Sequence, residues 1–138
     1  GIDRQHNVII IGAGNLGQAI ANYTNFERRG FVIRGMFDIN PKLIGLVIRG
    51  IEIRSVDDLE TFIKENNIQI AALTIPKNKG LRTIADRLIK AGIKAIWNFA
   101  HTDLNLPDNI IVENVHLSES LMRLSYNITR YNEEHEGK

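Results

Sequence analysis

The residues Gly12-Ala13-Gly14-Asn15-Leu16-Gly17 follow the β-branched stretch Val8-Ile9-Ile10-Ile11 directly. That order of apolar strand, glycine-rich turn and helix gives a G-x-G-x-x-G pattern its mechanism. Gly12 permits a tight turn, Gly14 leaves no Cβ between the backbone and a pyrophosphate, and Gly17 lets the helix approach the strand closely. The helix N-terminus offers phosphates free N–H groups and the positive end of a dipole. Asp38 follows Gly17 by 21 residues, at the end of the next apolar run. A carboxylate there accepts hydrogen bonds from both hydroxyls of an adenosine ribose. It repels a 2′-phosphate, and no arginine follows to compensate, since Ile39 is next and Lys42 is four positions on. The expected ligand is NAD(H) rather than NADP(H). The competing reading is a glycine-rich turn beside a structural aspartate.

Positioning that turn against that carboxylate requires a parallel sheet. Val8 to Ile11 is the kind of continuous apolar run that a strand covered on both faces carries. From Leu16 the period changes, and Leu16, Ala19, Ile20 and Tyr23 predict a helix over 15 to about 24. Phe31 to Phe37 predicts a second strand, with Gly30 before it and Asn40-Pro41 after it. Val47-Ile48 and Ile51 to Ile53 read as short strands or extended loop. Ser55 and Asp58 resemble a capping box for a helix to about Asn66 carrying Val56, Leu59, Phe62 and Ile63. Ile68 to Ile75 is the next expected strand, stopped by Pro76. Leu81, Ile84, Ala85, Leu88 and Ile89 form the stripe of a helix closed by Gly92, and Ala95 to Trp97 and Ile110 to Val112 are two further strands. Strands alternating with helices predict an α/β, Rossmann-type doubly wound, mostly parallel sheet. The last apolar positions, Leu117, Leu121, Leu124, Ile128 and Tyr131, are spaced 4, 3, 4, 3. Such a seam either covers the domain's own sheet or packs on a partner subunit, and the long connection from Asn98 to Asp108 favours a chain that leaves its own sheet.

Composition excludes several classes. The chain has 138 residues, 17 Lys+Arg against 16 Asp+Glu and a net charge of +1, which fits one domain and gives no basic surface for direct polyanion binding. The longest apolar run falls far short of a membrane span. Cysteine is absent, so disulfides and thiolate chemistry are impossible, in keeping with a reducing cytoplasm. Gly1 in place of Met suggests a processed or tagged fragment. The triplets Asn22-Tyr23-Thr24 and Asn127-Ile128-Thr129 lie in expected helices and read as chance. His6, His101, His116 and His135 lack metal-ligand spacing, and no G-x-S-x-G elbow or paired-carboxylate motif is present. A dehydrogenase of this fold adds a substrate domain, for which this chain leaves no room. Two possibilities remain open: the nucleotide half of an NAD-dependent oxidoreductase or a CoA-binding module, and a domain that reads a dinucleotide without turning it over.

Further residues carry a resemblance. The run Ile93 to Ala100, then Leu104, Pro107, Val112-Glu113-Asn114-Val115 and Leu121 to Tyr126, together with Leu73-Thr74-Ile75-Pro76 and Tyr23 to Phe26, is similar to the C-terminal NAD(H)-binding domain of the Rex family of redox-sensing transcriptional repressors, over residues 7 to 131. The resemblance implies a cytoplasmic, non-enzymatic homodimer whose C-terminal helix is exchanged between subunits. It also implies an N-terminal winged-helix domain, outside this chain, that binds operator DNA and is released by NADH. On that resemblance, residues 1–6 are a tag remnant or linker, 7–116 the NAD(H)-binding domain, 117–131 the swapped dimerisation helix and 132–138 a flexible tail. Gly12, Ala13, Gly14, Asn15, Leu16 and Gly17 would hold the pyrophosphate. Asp38 and Ile39 would border the adenosine, Thr74, Ile75 and Pro76 would border the cofactor, and Asn98, Phe99 and Ala100 would sit near the nicotinamide, with Leu117 approaching from the partner. Tyr23 matches a tyrosine of the redox switch, against the alternative of a core residue. The chain departs from the family where His116 stands in place of the usual Asp, another switch candidate that answers pH differently. His101 likewise replaces a common proline, and Lys77 and Lys79 add charge after the Thr74 to Pro76 loop.

Overall fold

The computed structural model describes residues 5–23, 25–75, 80–100, 104–115 and 117–136. The elements run β1 (His6–Ile11), α1 (Asn15–Asn22), α2 (Asn25–Arg28), β2 (Phe31–Asp38), β3 (Val47–Ile48), β4 (Ile51–Ser55), α3 (Leu59–Glu65), β5 (Ile70–Leu73), α4 (Leu81–Ala91), β6 (Ala95–Asn98), β7 (Ile111–Asn114) and α5 (Leu117–Glu136). Seven strands form one sheet in the order β3-β4-β2-β1-β5-β6-β7. Every neighbouring pair is parallel except β3 with β4. That exception is a hairpin whose two-residue turn, Arg49 and Gly50, has positive φ at both positions, the backbone that matches strand twist. Without β3 the order is that of a doubly wound dinucleotide-binding sheet, and the winding direction reverses between β1 and β5.

Helices lie on both faces of the central strands, as their continuous apolar runs require. Ile9 and Ile11 of β1, Phe37 of β2, Ala71 and Leu73 of β5 and Ile96 of β6 pack against Leu59 and Ile63 of α3 and Leu81, Ile84 and Leu88 of α4. The alternate residues Ile10, Met36, Ala72 and Ile53 meet Ile20 and Ala21 of α1 on the other side. Period-two alternation thus splits one run of isoleucines between two cores.

Local chemistry sets the boundaries. Ser55 Oγ accepts the Asp57 N–H at 3.1 Å, but a turn of 3-10 helix at Val56–Asp58 intervenes, so α3 begins only at Leu59. Gly92, at φ 111°, closes α4 by donating its N–H to the Ile89 carbonyl. Three expectations are corrected. Strand β5 ends at Leu73 instead of Ile75, because Thr74 turns its hydroxyl to the carbonyls of Ile11 and Gly12. The connection after β6 does not leave its sheet: Leu104 is buried on the α3/α4 core with Leu106 and Ile110 beside it, and Arg82 donates to the Leu104 carbonyl. Helix α5 continues to Glu136 rather than ending at Tyr131. Its described side chains do not cover the sheet either, since all of them from Leu124 to His135 are exposed.

Helices α3 and α4 are tied by Arg87, whose Nε donates to Glu60 Oε2 at 3.0 Å and whose Nη2 reaches the Val56 carbonyl at 2.6 Å. The hydrogen bond from Arg87 holds the Glu60 carboxyl below the usual carboxylate range, against a smaller opposing effect of burial. A lowered folded value means stabilisation that is complete above the usual carboxylate range and lost as pH falls through the folded value. Glu60→Gln is expected to lower stability at neutral pH by under about 1 kcal/mol for so exposed a pair. Urea unfolding followed from pH 7 to pH 3 checks this: the gap between variant and parent must close toward acid.

Candidate functional site

The site begins where β1 stops. Gly12 turns the chain at φ +108°, its N–H donating to the Phe37 carbonyl at 2.7 Å. Helix α1 then starts so close to this turn that a Cβ on Gly17 would lie 1.9 Å from the Gly12 carbonyl oxygen. A Cβ on Gly14 would meet nothing within 4 Å. The first glycine is thus required by the backbone, the third by packing, and the second by neither. The space in front of Gly14 is open, and the first N–H groups of α1 have no intrahelical acceptor and no side-chain cap. Gln18 Nε2 donates back to the Ala13 carbonyl at 2.9 Å and braces the turn from the helix side.

Asp38 ends β2, the strand beside β1. Its Oδ2 accepts the Ala13 N–H at 2.7 Å and its Oδ1 the Asn40 N–H at 2.8 Å. The carboxylate therefore locks the glycine turn and the loop after β2 in one arrangement, with lone pairs remaining on both oxygens. On the other flank, Thr74 Oγ1 lies 3.0 Å from the Ile11 carbonyl and 2.9 Å from that of Gly12.

These groups line a cleft of about 810 Å³ across the carboxyl ends of β1, β2 and β5. It gathers Gly12, Gly14, Asn15, Leu16, Gly17, Asp38, Ile39, Thr74 and Ile75 of the residues singled out from the sequence. Ala13 is buried behind them and takes part through its N–H. The wall that sequence reasoning missed is the start of α4, where Gly80 and Thr83 face the same cleft, and with it Leu43. The sequence shows Gly80 opening a strong helical stripe after a strand, but only the sheet order says which strand ends that helix start meets. Asp38 is the cleft's only ionisable lining group among the described residues, and no cluster of three potential metal ligands occurs among them.

Asn98, Phe99 and Ala100 lie outside that cleft, at the end of β6, where Leu73 of β5 pairs with Asn98. Tyr23 is not a core residue: it is 52% exposed, edge-on to Phe26 at 4.7 Å. From Phe26 the ring contacts continue to Trp97 at 5.4 Å and on to Phe99 at 4.7 Å. Phe26 and Trp97, with Val8, Ile33 and Ile111, also line an apolar groove of about 350 Å³ rimmed by Arg29 and Glu113. Pro76, His116, His101, Lys77 and Lys79 lie outside the described residues, and of Leu117 only its place at the start of α5 is described.

Residues 3–102 match the family model described as "CoA binding domain". The redox-sensing transcriptional repressor Rex of Caldanaerobacter subterraneus subsp. tengcongensis is 60% identical over 97% of this chain and 58% of its own length. Among solved structures, the Rex-family repressor RSP in complex with β-NADH is 54% identical, with a TM-score of 0.84 over 100% of this chain and 66% of that one. RSP in complex with β-NAD⁺ and operator DNA is 58% identical with a TM-score of 0.83, over 97% and 60%. The chain spans about three fifths of the length of the curated relatives it matches.

The three glycines separate by experiment. Gly17→Ala forces a methyl group into a backbone carbonyl and is expected to cost at least about 2 kcal/mol. Gly14→Ala meets no atom but replaces a favoured N-cap residue by a poor one, and is expected to cost less, about 0.5 to 1 kcal/mol. Calorimetric scans of both variants check the contrast, and equal losses would contradict it.

Proposed function

This chain belongs to the CoA binding domain family, with Rex repressors as relatives over nearly its whole length, and on that premise we propose that it is the NAD(H)-binding sensory and dimerisation domain of a redox-responsive transcriptional repressor. The observation that carries the reading is the glycine turn held against Asp38 at the reversal point of the sheet. The residues fit a dinucleotide: the open space at Gly14 and the uncapped start of α1 suit a pyrophosphate, and the lone pairs left on Asp38 suit an adenosine ribose. Asp38 repels a phosphate on that ribose, which disfavours NADP(H) and also the 3′-phosphorylated adenosine of CoA. The nicotinamide half then runs over β5 toward Asn98, Phe99 and Ala100, with Ile75 and Pro76 along the way.

The bound dinucleotide would supply redox information rather than hydride chemistry, since its neutral reduced ring and cationic oxidised ring differ in their cost of contact with apolar groups such as Phe99. That difference is what favours NADH over NAD⁺ and lets the two stabilise different dimer arrangements. NADH binding releases the operator, which an N-terminal winged-helix domain outside these residues holds, in the cytoplasm. Tyr23 and His116 are the candidates for passing the ring's state onward. The domain is not an enzyme. The family model's name favours CoA as a second reading, and Asp38 argues against it.

Homodimerisation uses 117–131. Among the described residues, the seam positions Leu124, Ile128 and Tyr131 of α5 are each more than half exposed, and the apolar groove around Phe26 and Trp97 offers a surface of matching chemistry. The start of the partner's α5, at Leu117, approaches the nicotinamide.

Calorimetric titration of the chain with NADH, NAD⁺, NADPH and CoA tests the ligand. One NADH per chain with NAD⁺, NADPH and CoA weaker is expected, and Asp38→Ala should lose about 1.5 to 3 kcal/mol of NADH affinity with its charged acceptor. Tightest binding of CoA, or oxidation of NADH by an added carbonyl substrate, would overturn the reading. For assembly, sedimentation equilibrium should give a dimer for the parent and a monomer for Leu124→Glu with Ile128→Glu. A dimer persisting in the double variant contradicts the role of α5.

A further inference from the structure

Leu73, Asn98 and Asn114 stand in register at the carboxyl ends of β5, β6 and β7. Asn98 is 2% exposed, the one buried polar side chain among the described residues. Its Oδ1 accepts the Ala100 N–H at 3.0 Å, and its Nδ2 donates to Asn114 Oδ1 at 2.9 Å. The first of these is a side-chain turn that bends the backbone two residues on. Around it, the Phe99 N–H donates to the Leu73 carbonyl at 2.9 Å and the Val115 N–H to the Asn98 carbonyl at 2.9 Å.

The direction of this chain of amides is fixed from one end. A backbone N–H cannot reverse, so Ala100 demands an oxygen from Asn98. The other end of the Asn98 amide is then a donor, and it takes the oxygen of Asn114. Asn114 thereby supports the Asn98 amide in the orientation that keeps Ala100 in its turn, beside Phe99 at the edge of the sheet. An adenosine on Asp38 occupies the β1-β2-β4 half, so the other nucleoside of a dinucleotide falls on the β5-β6-β7 half, against this turn. Asn114 itself need not touch it.

We propose that Asn114 is a positioning residue for the nicotinamide half of the ligand, acting through the Asn98 amide on Phe99 and Ala100. This rests on the dinucleotide reading above. Asn114 is exposed, and a thermal unfolding scan of each variant checks that the fold is kept. The test compares NADH with ADP-ribose, which keeps the adenosine and pyrophosphate and lacks the ring. Asn114→Ala removes the acceptor and is expected to weaken NADH about fivefold, the worth of one neutral hydrogen bond, while ADP-ribose affinity stays within about twofold of the parent. Asn114→Asp retains an oxygen at the same place, and because the reduced ring is neutral it should return NADH to near the parental affinity. Equal weakening of both ligands by Asn114→Ala, unchanged NADH affinity, or failure of Asn114→Asp to rescue would each overturn the proposal. Failure of the dinucleotide reading shows instead in the parent chain, as NADH binding no more tightly than ADP-ribose.

Discussion

A helix and a strand cannot meet end to end at the distance seen here unless one residue at the contact has no side chain. The 1.9 Å that a Gly17 Cβ would leave to the Gly12 carbonyl is the constraint from which the rest of the site follows. Because α1 sits so close, its uncapped N-terminus opens directly onto the carboxyl edge of β1, and the Ala13 N–H is brought within reach of a side chain on the neighbouring strand. Asp38 fills that position at 2.7 Å. Thr74 pins the same turn from the opposite strand, so β2, β1 and β5 converge on one backbone segment. The convergence happens where the sheet reverses its winding, the one place in such a fold where no crossover covers the strand ends.

The two halves of the carboxyl edge differ in chemistry. On the β1-β2 side the cleft presents backbone N–H groups and a single carboxylate, suited to a charged pyrophosphate and a ribose. On the β6-β7 side stand two amides and a series of aromatic rings, Phe99, Trp97 and Phe26, that runs on into a bare apolar groove. A ligand lying across both halves would place its polar part where the electrostatics are strong and its ring beside a surface shared with the groove. In the reading proposed above, that adjacency would let a change in ring charge bear on whatever occupies the groove.

Much of this was legible in the sequence because the motif and its elements are local. The strand Val8 to Ile11, the turn, the stripe of α1 and the acid at the end of β2 all declare themselves within a few residues, and Gly92 marks the end of α4 by its own conformational freedom. What escaped depends on partners distant in sequence. Thr74 leaves its strand early because of a carbonyl more than sixty residues away, and α2, four residues with one apolar anchor in Phe26, has too little periodicity to announce itself. The start of α4 joins the cleft only through the sheet order. The connection after β6 was misread because length alone does not say that Leu104, Leu106 and Ile110 return to the core, and the pattern of α5 gave a seam without saying which surface it meets.

The claim on which the account turns is that a dinucleotide anchored at Asp38 reaches across the sheet to the end of β6. Trp97, the single tryptophan of the chain, lies 4.7 Å from Phe99, which makes its fluorescence a ruler for that claim. Exciting Trp97 while NADH is added should produce sensitised nicotinamide emission that saturates at one equivalent per chain. The NADH absorbance should stay constant throughout. Saturable binding of NADH without energy transfer from Trp97 would put the ring somewhere else and contradict the account.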